Sequence, residues 1–129
     1  MSGKKCNYTG VELDNESKTK LMHLLKGLIP QGWIVYCHHM TIRLGELSSF
    51  EKTEFILGEK KELKINSIGI GKKVIAVGVD GCKSFNKIPH ITVAVDRANG
   101  GKPYMSNEIT KWYPVQRDEV VLTGTIKEM

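Results

Sequence analysis

Alternating apolar and polar positions dominate this chain and divide it into short strands around one amphipathic helix. At 39–44, Met40, Ile42 and Leu44 alternate with His39, Thr41 and Arg43. A strand there has an apolar face and a face bearing imidazole, hydroxyl and guanidinium. At 90–95, Ile91, Val93 and Val95 share one face, while His90, Thr92 and Ala94 share the other. Residues 74–79 are almost continuously apolar and rich in β-branched side chains, as in a strand covered on both faces. Further strands are expected at 6–13, 33–36, 63–70 and 119–126. Gly10 marks a bulge or close approach in the first of these. Leu63, Ile65, Ile68 and Ile70 change parity, which predicts a bulge near Asn66-Ser67.

Leu21, Leu24, Leu25 and Leu28 recur at helical spacing, after the cap-type residues Asp14, Asn15 and Ser17 and before Pro30 and Gly32. A short second helix is expected from Ser106 to Trp112, with Pro114 closing it. Asp80-Gly81 reads as a turn, and Asn99-Gly100-Gly101-Lys102-Pro103 as a flexible basic loop. Residues 45–61 fit neither template, and Phe50, Phe55, Ile56 and Leu57 are their apolar anchors. No linker interrupts the pattern, so residues 1–129 form a single domain. The element order predicts an α+β fold of two related halves, each with one His-x-Thr strand.

At 129 residues the chain can bury a substantial core. A formal charge of +5 and a pI near 9.1 favour polyanions weakly and serve solubility equally well. No run of about 18 apolar residues predicts a membrane span. Met1 to Lys5 are not followed by a signal-type apolar stretch. Cys6, Cys37 and Cys82 lack paired spacing, so free thiols in a reducing compartment are expected. The expected location is the cytoplasm, with the nucleus open as well.

Two His-x-Thr strands account for two of four histidines. Cleaving a cyclic phosphodiester needs a base for water and an acid for the departing oxygen, and imidazole suits both. Threonine hydroxyls can donate hydrogen bonds to charge growing on phosphoryl oxygens. One such strand alone would mean little, since histidine and threonine occur on many strands. Arg43 shares the His39 face and suits bidentate phosphate contact, with an ion-paired surface arginine as the equal alternative. Lys102 is a weaker candidate for an RNA backbone. Tyr8, Tyr104 and Trp112 have rings that can stack on a base, although Trp112 also suits a core position. Cys37, His38, His39, Cys82 and His90 carry zinc-ligand atoms without the short paired spacings of zinc sites, so neither metal nor cofactor is expected. Alternation along a strand sends His38 to the core side, opposite His39. His23 is expected on the helix surface. The glycines and lysines of 68–73 lack phosphate-loop spacing and are read as a turn.

The chain resembles the 2H phosphoesterase superfamily, defined by two His-x-Thr/Ser motifs on strands. More narrowly, it is similar to the cyclic phosphodiesterase domain of fungal-type tRNA ligases and to Swiss Army Knife RNA repair-like proteins. The matching stretches are His38-His39-Met40-Thr41-Ile42, Pro89-His90-Ile91-Thr92-Val93-Ala94-Val95, and Gly101-Lys102-Pro103 followed by Ser106-Asn107 and Trp112. The resemblance implies a pseudo-symmetric two-lobed (LigT-like) fold, with antiparallel sheets lining a central cleft and helices outside. It implies metal-independent opening of RNA 2′,3′-cyclic phosphate ends, typically to a 2′-phosphate, in RNA repair or tRNA splicing. By that analogy His39 is the acid and His90 the base, with the reverse nearly as natural. Thr41 and Thr92 hold the phosphate, and Arg43, Lys102 and Tyr8 are the further substrate-binding candidates. The ligase and kinase modules of a complete tRNA ligase are not expected in this single domain. Two other readings stay open: a phosphodiesterase for small cyclic or 2′-5′ linked nucleotides, and a non-catalytic RNA-binding module. No obligate protein partner is inferred.

Overall fold

The structure is a computed structural model that describes residues 7–115 and 120–129. The expected strand start at Cys6 and the start of the last strand at Glu119 lie outside them. Strands β1 (Tyr8–Leu13), β2 (Ile34–Val35), β3 (His39–Leu44), β4 (Lys60–Ile70), β5 (Val74–Asp80), β6 (His90–Val95), β7 (Trp112–Pro114) and β8 (Val121–Glu128) form one antiparallel sheet, and the described residues hold a single α-helix, α1 (Asn15–Leu25). The α+β class with antiparallel pairing is as expected. The strands do not form two separate sheets, however: β6, β3, β1, β8, β4 and β5 follow one another, and β5 pairs back to β6. That pairing closes the sheet into a six-stranded barrel and leaves β2 and β7 as short additions. Closure removes the open edges that two facing sheets would carry.

Side-chain parity decides which face of each strand turns inward. Val11, Leu13, Met40, Ile42, Leu63, Ile65, Ile75, Val77, Val79, Ile91, Val93, Leu122 and Ile126 form the main core. Asp14 caps α1 by accepting from the Ser17 amide at 2.7 Å. Ser17 Oγ in turn accepts from the Thr123 amide at 2.7 Å, tying helix to barrel. Leu21 and Leu25 enter the core, but the helix gives way to a 3₁₀ turn at Lys26–Leu28, which rotates Leu28 out to solvent. A smaller cluster of Val74, Ala76, Val95 and Ile109 covers the outer face of β5 and β6, packed by Tyr36, Met105 and Trp112.

Several local expectations change. Among 45–61 only Leu47 and Phe55 are buried, while Phe50, Ile56 and Leu57 stay exposed. Strand pairing at 33–36 is limited to Ile34 and Val35. The expected helix at 106–112 is replaced by a 3₁₀ turn over Pro103–Glu108, because Trp112 to Pro114 pair with β4 instead. The bulge at Asn66-Ser67 is present as a register shift between Ile65 and Ser67.

Gly10 faces β3 beside a register shift. A Cβ there would sit 2.5 Å from the Met40 carbonyl oxygen. Gly10→Ala should therefore push β1 away from the His39 strand and destabilise the fold by about 1–3 kcal/mol. A urea melt checks this, and an unchanged midpoint would show that the contact relaxes freely.

Candidate functional site

Strands β3 and β6 build the site because they are antiparallel neighbours, with Met40 opposite Ile91. Extending that register by one residue each way sets His39 across from Thr92 and Thr41 across from His90. The inward side chains are apolar, so both His-x-Thr faces turn to the same outer surface of the barrel. There they line one cleft of about 550 Å³ with Tyr8, Asn86, Tyr104 and Ser106. His90 is buried, and His39, Thr41 and Thr92 are half-buried.

The approach to β3 is irregular. The Cys37 amide bonds to the Thr92 carbonyl, yet three residues later Met40 faces Ile91, only one residue back along β6. Cys37 takes a positive φ of 49° and buries its side chain completely. This reverses the alternation and overturns the expected core position of His38. Its ring lies beside His39 instead, with Nδ1 3.0 Å from His39 Nδ1 and Nε2 3.2 Å from a Glu12 carboxylate oxygen. Glu12 also accepts from Lys127 Nζ at 2.7 Å.

Tyr8 stacks on the other side of His39, with centroids 4.4 Å apart and planes inclined by 22°. Burial pushes the His39 pKa down to about 4, helped by charge on His38 and His90 and opposed by Glu12. Burial raises the Tyr8 phenol pKa, with Glu12 adding to the effect. The Lys127 hydrogen bond holds the Glu12 carboxyl below its usual range.

On β6, His90 Nδ1 lies 2.6 Å from the Ile88 carbonyl oxygen, which can only accept, so this nitrogen donates. Its Nε2 lies 2.9 Å from Ser106 Oγ. Ser106 also takes a hydrogen bond from Thr92 Oγ1 at 3.0 Å and donates to the Pro103 carbonyl at 2.8 Å. Burial lowers the His90 pKa, with the Ile88 carbonyl partly restoring it. Trp112 stands 5.9 Å from the His90 ring, centroid to centroid, and donates from Nε1 to the Ile109 carbonyl at 3.0 Å. It supports the imidazole from the smaller apolar cluster and is not among the cleft lining.

Arg43 does not turn to the cleft. Its guanidinium pairs with Glu51, Nε donates to the Leu44 carbonyl, and the group lies over the Phe85 ring at 5.6 Å. Glu51 is already held by Ser48, so the arginine meets a fixed carboxylate on the same face before it can meet a ligand. Lys102 is exposed just before the 3₁₀ turn and does not line the cleft, whereas Tyr104 does. His23 is exposed as expected. Cys37 and Cys82 are free thiols; burial pushes Cys37 up to about 12, which makes it inert, and also raises Cys82. The Cys6 thiol lies outside the described residues. No group of three His, Cys, Asp or Glu side chains is placed to hold a metal among the described residues.

Sequence reasoning missed Glu12, His38 and Ser106 as site residues. Ser106 left a signal as part of the Gly-Lys-Pro…Ser-Asn stretch and His38 as part of the His-His-Met-Thr-Ile stretch, but Glu12 left none. No helix among the described residues is long and apolar enough to cross a membrane. No individual curated protein matches the chain. The model of one family, the fungal tRNA ligase phosphodiesterase domain, matches residues 4–129, nearly the full length and both His-x-Thr strands. The chain belongs to the fungal tRNA ligase phosphodiesterase domain family.

Proposed function

We propose that this domain opens a 2′,3′-cyclic phosphate at an RNA end without a metal ion, leaving a 2′-phosphate and a free 3′-hydroxyl. The reading is carried by the convergence of His39, Thr41, His90 and Thr92 on one cleft. One imidazole removes a proton from water, whose oxygen bonds to phosphorus. The other imidazole protonates the 3′-oxygen as its bond to phosphorus breaks. The two threonine hydroxyls donate to the phosphoryl oxygens as their charge grows. Acid, base and donors are all side chains, so the step needs no Lewis acid. Tyr8 and Tyr104 offer rings to the terminal nucleoside. The roles of Arg43 and Lys102 would be limited to longer RNA, since neither lines the cleft.

A second reading, hydrolysis of a small cyclic or 2′-5′ linked nucleotide, is favoured by the cleft volume, which matches small-molecule sites. Competing an RNA end against free cyclic nucleotides separates the two. A non-catalytic RNA-binding module would show binding and no turnover. The free Cys37 and Cys82 thiols fit a place in the cytoplasm or nucleus.

His39→Ala and His90→Ala should each lower kcat on a cyclic-phosphate oligonucleotide by about 10²–10⁴-fold, and the double variant should fall little further. Thr41→Ala or Thr92→Ala should cost roughly 10- to 1000-fold, less where water replaces the hydroxyl. Near-normal turnover in a folded histidine variant would refute the mechanism.

Activity should also survive excess EDTA. Loss on chelation, with recovery on adding zinc or manganese, would replace this mechanism by a metal-dependent one.

The pH dependence follows from the two imidazoles. One must be neutral and the other protonated, and both pKa values lie below 6.5, His39 at about 4. Raising the pH through the higher value strips the acid; lowering it through the lower value protonates the base. A bell-shaped kcat/KM with its maximum below pH 6.5 is expected, whichever histidine is the acid. A maximum above pH 7.5 would contradict it.

A further inference from the structure

The two ends of the cleft differ in charge. β3 and β6 are antiparallel, so the Leu44 end of β3 lies toward His90, while His39, Thr92 and Tyr36 lie toward Val95. At the Leu44 end charges balance: Arg43, Lys52, Lys83 and Lys87 stand against Glu46, Glu51, Glu54 and Glu128. Arg43 is ion-paired with Glu51 there, and Lys83 with Glu54.

At the Val95 end the cations are in excess. Val95 faces Val74, so the turn between β4 and β5, with Lys72 and Lys73, stands directly beyond the end of β6. The loop leaving β6 folds against that turn. The Asp96 amide donates to the Lys73 carbonyl at 2.9 Å, and the Gly101 amide returns to the Asp96 carbonyl at 2.8 Å. Gly100 takes a positive φ of 86°, and a Cβ on it would lie 3.8 Å from Lys73 Nζ. Arg97 and Lys102 belong to this loop, and the next residues, Pro103 and Tyr104, line the cleft. The Ile70 amide donates to the Lys111 carbonyl at 3.1 Å, which adds Lys111 to the same end.

Lys72, Arg97, Lys102 and Lys111 are exposed, and Lys73 is half-buried. Among the described residues none of them is ion-paired with a carboxylate. The acids of this end are Asp96, which accepts from Asn99 Nδ2 at 2.8 Å, and the exposed Glu108. Unpaired like charges side by side repel one another, and a polyanion relieves that repulsion. Three strand residues, about 10 Å, separate Thr92 from Val95. A phosphate held at Thr92 therefore stays short of Lys72, Lys73 and Arg97, and the phosphates of a longer chain reach them.

We propose that this basic end is the track for the RNA strand that precedes the cyclic phosphate, which leaves the cleft over Pro103 and Tyr104 toward Lys73. The proposal rests on the RNA-end reading above and makes the substrate a chain and not a free nucleotide. Recognition along the track is of backbone phosphates, so it carries no base preference. The Leu44 end, with its charges balanced, offers such a strand no net attraction.

The test reads binding and turnover separately. Binding is followed by fluorescence anisotropy of a 5′-labelled RNA of about ten nucleotides ending in a 2′-phosphate, between about 50 and 200 mM salt. Turnover is followed on the same RNA ending in a 2′,3′-cyclic phosphate and on a 2′,3′-cyclic mononucleotide. Contact with about two phosphates gives a slope near −1.4 for log affinity against log salt, or about sevenfold over that range.

Lys72→Gln/Lys73→Gln/Arg97→Gln should flatten that slope by about 0.7 or more and raise KM for the RNA roughly fivefold. Its kcat, and kcat/KM on the mononucleotide, should stay within about twofold, since the mononucleotide is too short to meet these groups. Lys102 is kept because it adjoins the cleft lining. Lys72→Gln/Arg97→Gln, which spares the half-buried Lys73, should show a smaller change in the same direction. A control with equal loss of charge, Lys20→Gln/Lys61→Gln/Lys83→Gln, removes lysines paired with Glu16, Glu59 and Glu54, and should keep RNA affinity within about twofold.

Equal weakening by the control would mean that net charge alone attracts RNA, and would overturn the proposal. So would RNA binding without a salt slope, or no stronger than that of the mononucleotide. If cyclic ends are still cleaved in that case, the phosphodiesterase reading stands for small nucleotides. If the RNA binds with the expected slope but neither cyclic substrate turns over, the phosphodiesterase reading falls and the track is upheld by binding alone.

Discussion

The antiparallel pairing of β3 with β6 is the constraint on which the site depends. It holds only because the chain reverses its alternation at Cys37. If Cys37 kept its inward parity through a regular strand, His39 and Thr41 would face the core and Met40 and Ile42 would face water. Burying Met40 and Ile42 is worth roughly 3–6 kcal/mol together. An L-residue at positive φ costs about 1–3 kcal/mol. The hydrophobic term wins, so one strained residue is retained and both imidazole–hydroxyl faces reach the outer surface. The same reversal brings His38 alongside His39, a position that no regular strand offers to an adjacent residue.

Burial then sets the protonation of the pair. Neither imidazole is exposed enough to be charged freely, and desolvation drives both toward the neutral form. The two sides compensate differently. His90 gains a carbonyl on Nδ1 and the Ser106 hydroxyl on Nε2, while His39 gains a second imidazole backed by a carboxylate and an ammonium. The motifs match in sequence, but their surroundings do not. Two copies of one pattern can thereby divide acid and base work between them, as happens wherever environment moves equivalent groups apart.

Much of this was legible in the residues. Alternation at 39–42 and 90–93 gave the right faces, because one face of each strand had to be buried; it fails at the strand ends, where Leu44 is exposed and lines the cleft, and Val95 joins the outer cluster while Ala94 joins the main core. Asp14 caps the helix where its side chain predicts, and the parity change near Asn66 marks a real register shift. The failures share a cause: they depend on long-range pairing. Barrel closure rests on β5 meeting β6 and β4 meeting β8, which local periodicity cannot show. Trp112 follows a strand pairing with β4 in place of a helix, and Leu28 turns outward once the helix tightens into a 3₁₀ turn. Arg43 has the right parity for the cleft, yet Glu51, eight residues on, captures it.

Glu12 shows how far the site depends on strand order. It lies on β1, between β3 and β8, and its backbone pairs with His39 on one side and Thr125 on the other. Its side chain therefore reaches His38 and Lys127 together, residues in the first third and at the end of the chain. β1 lies inside the sheet with β3 and β8 as its two neighbours, and that strand order brings both the ammonium and the imidazole to the carboxylate. The electrostatic chain behind His39 is thus a product of strand order, and it does not exist in any one segment of the sequence.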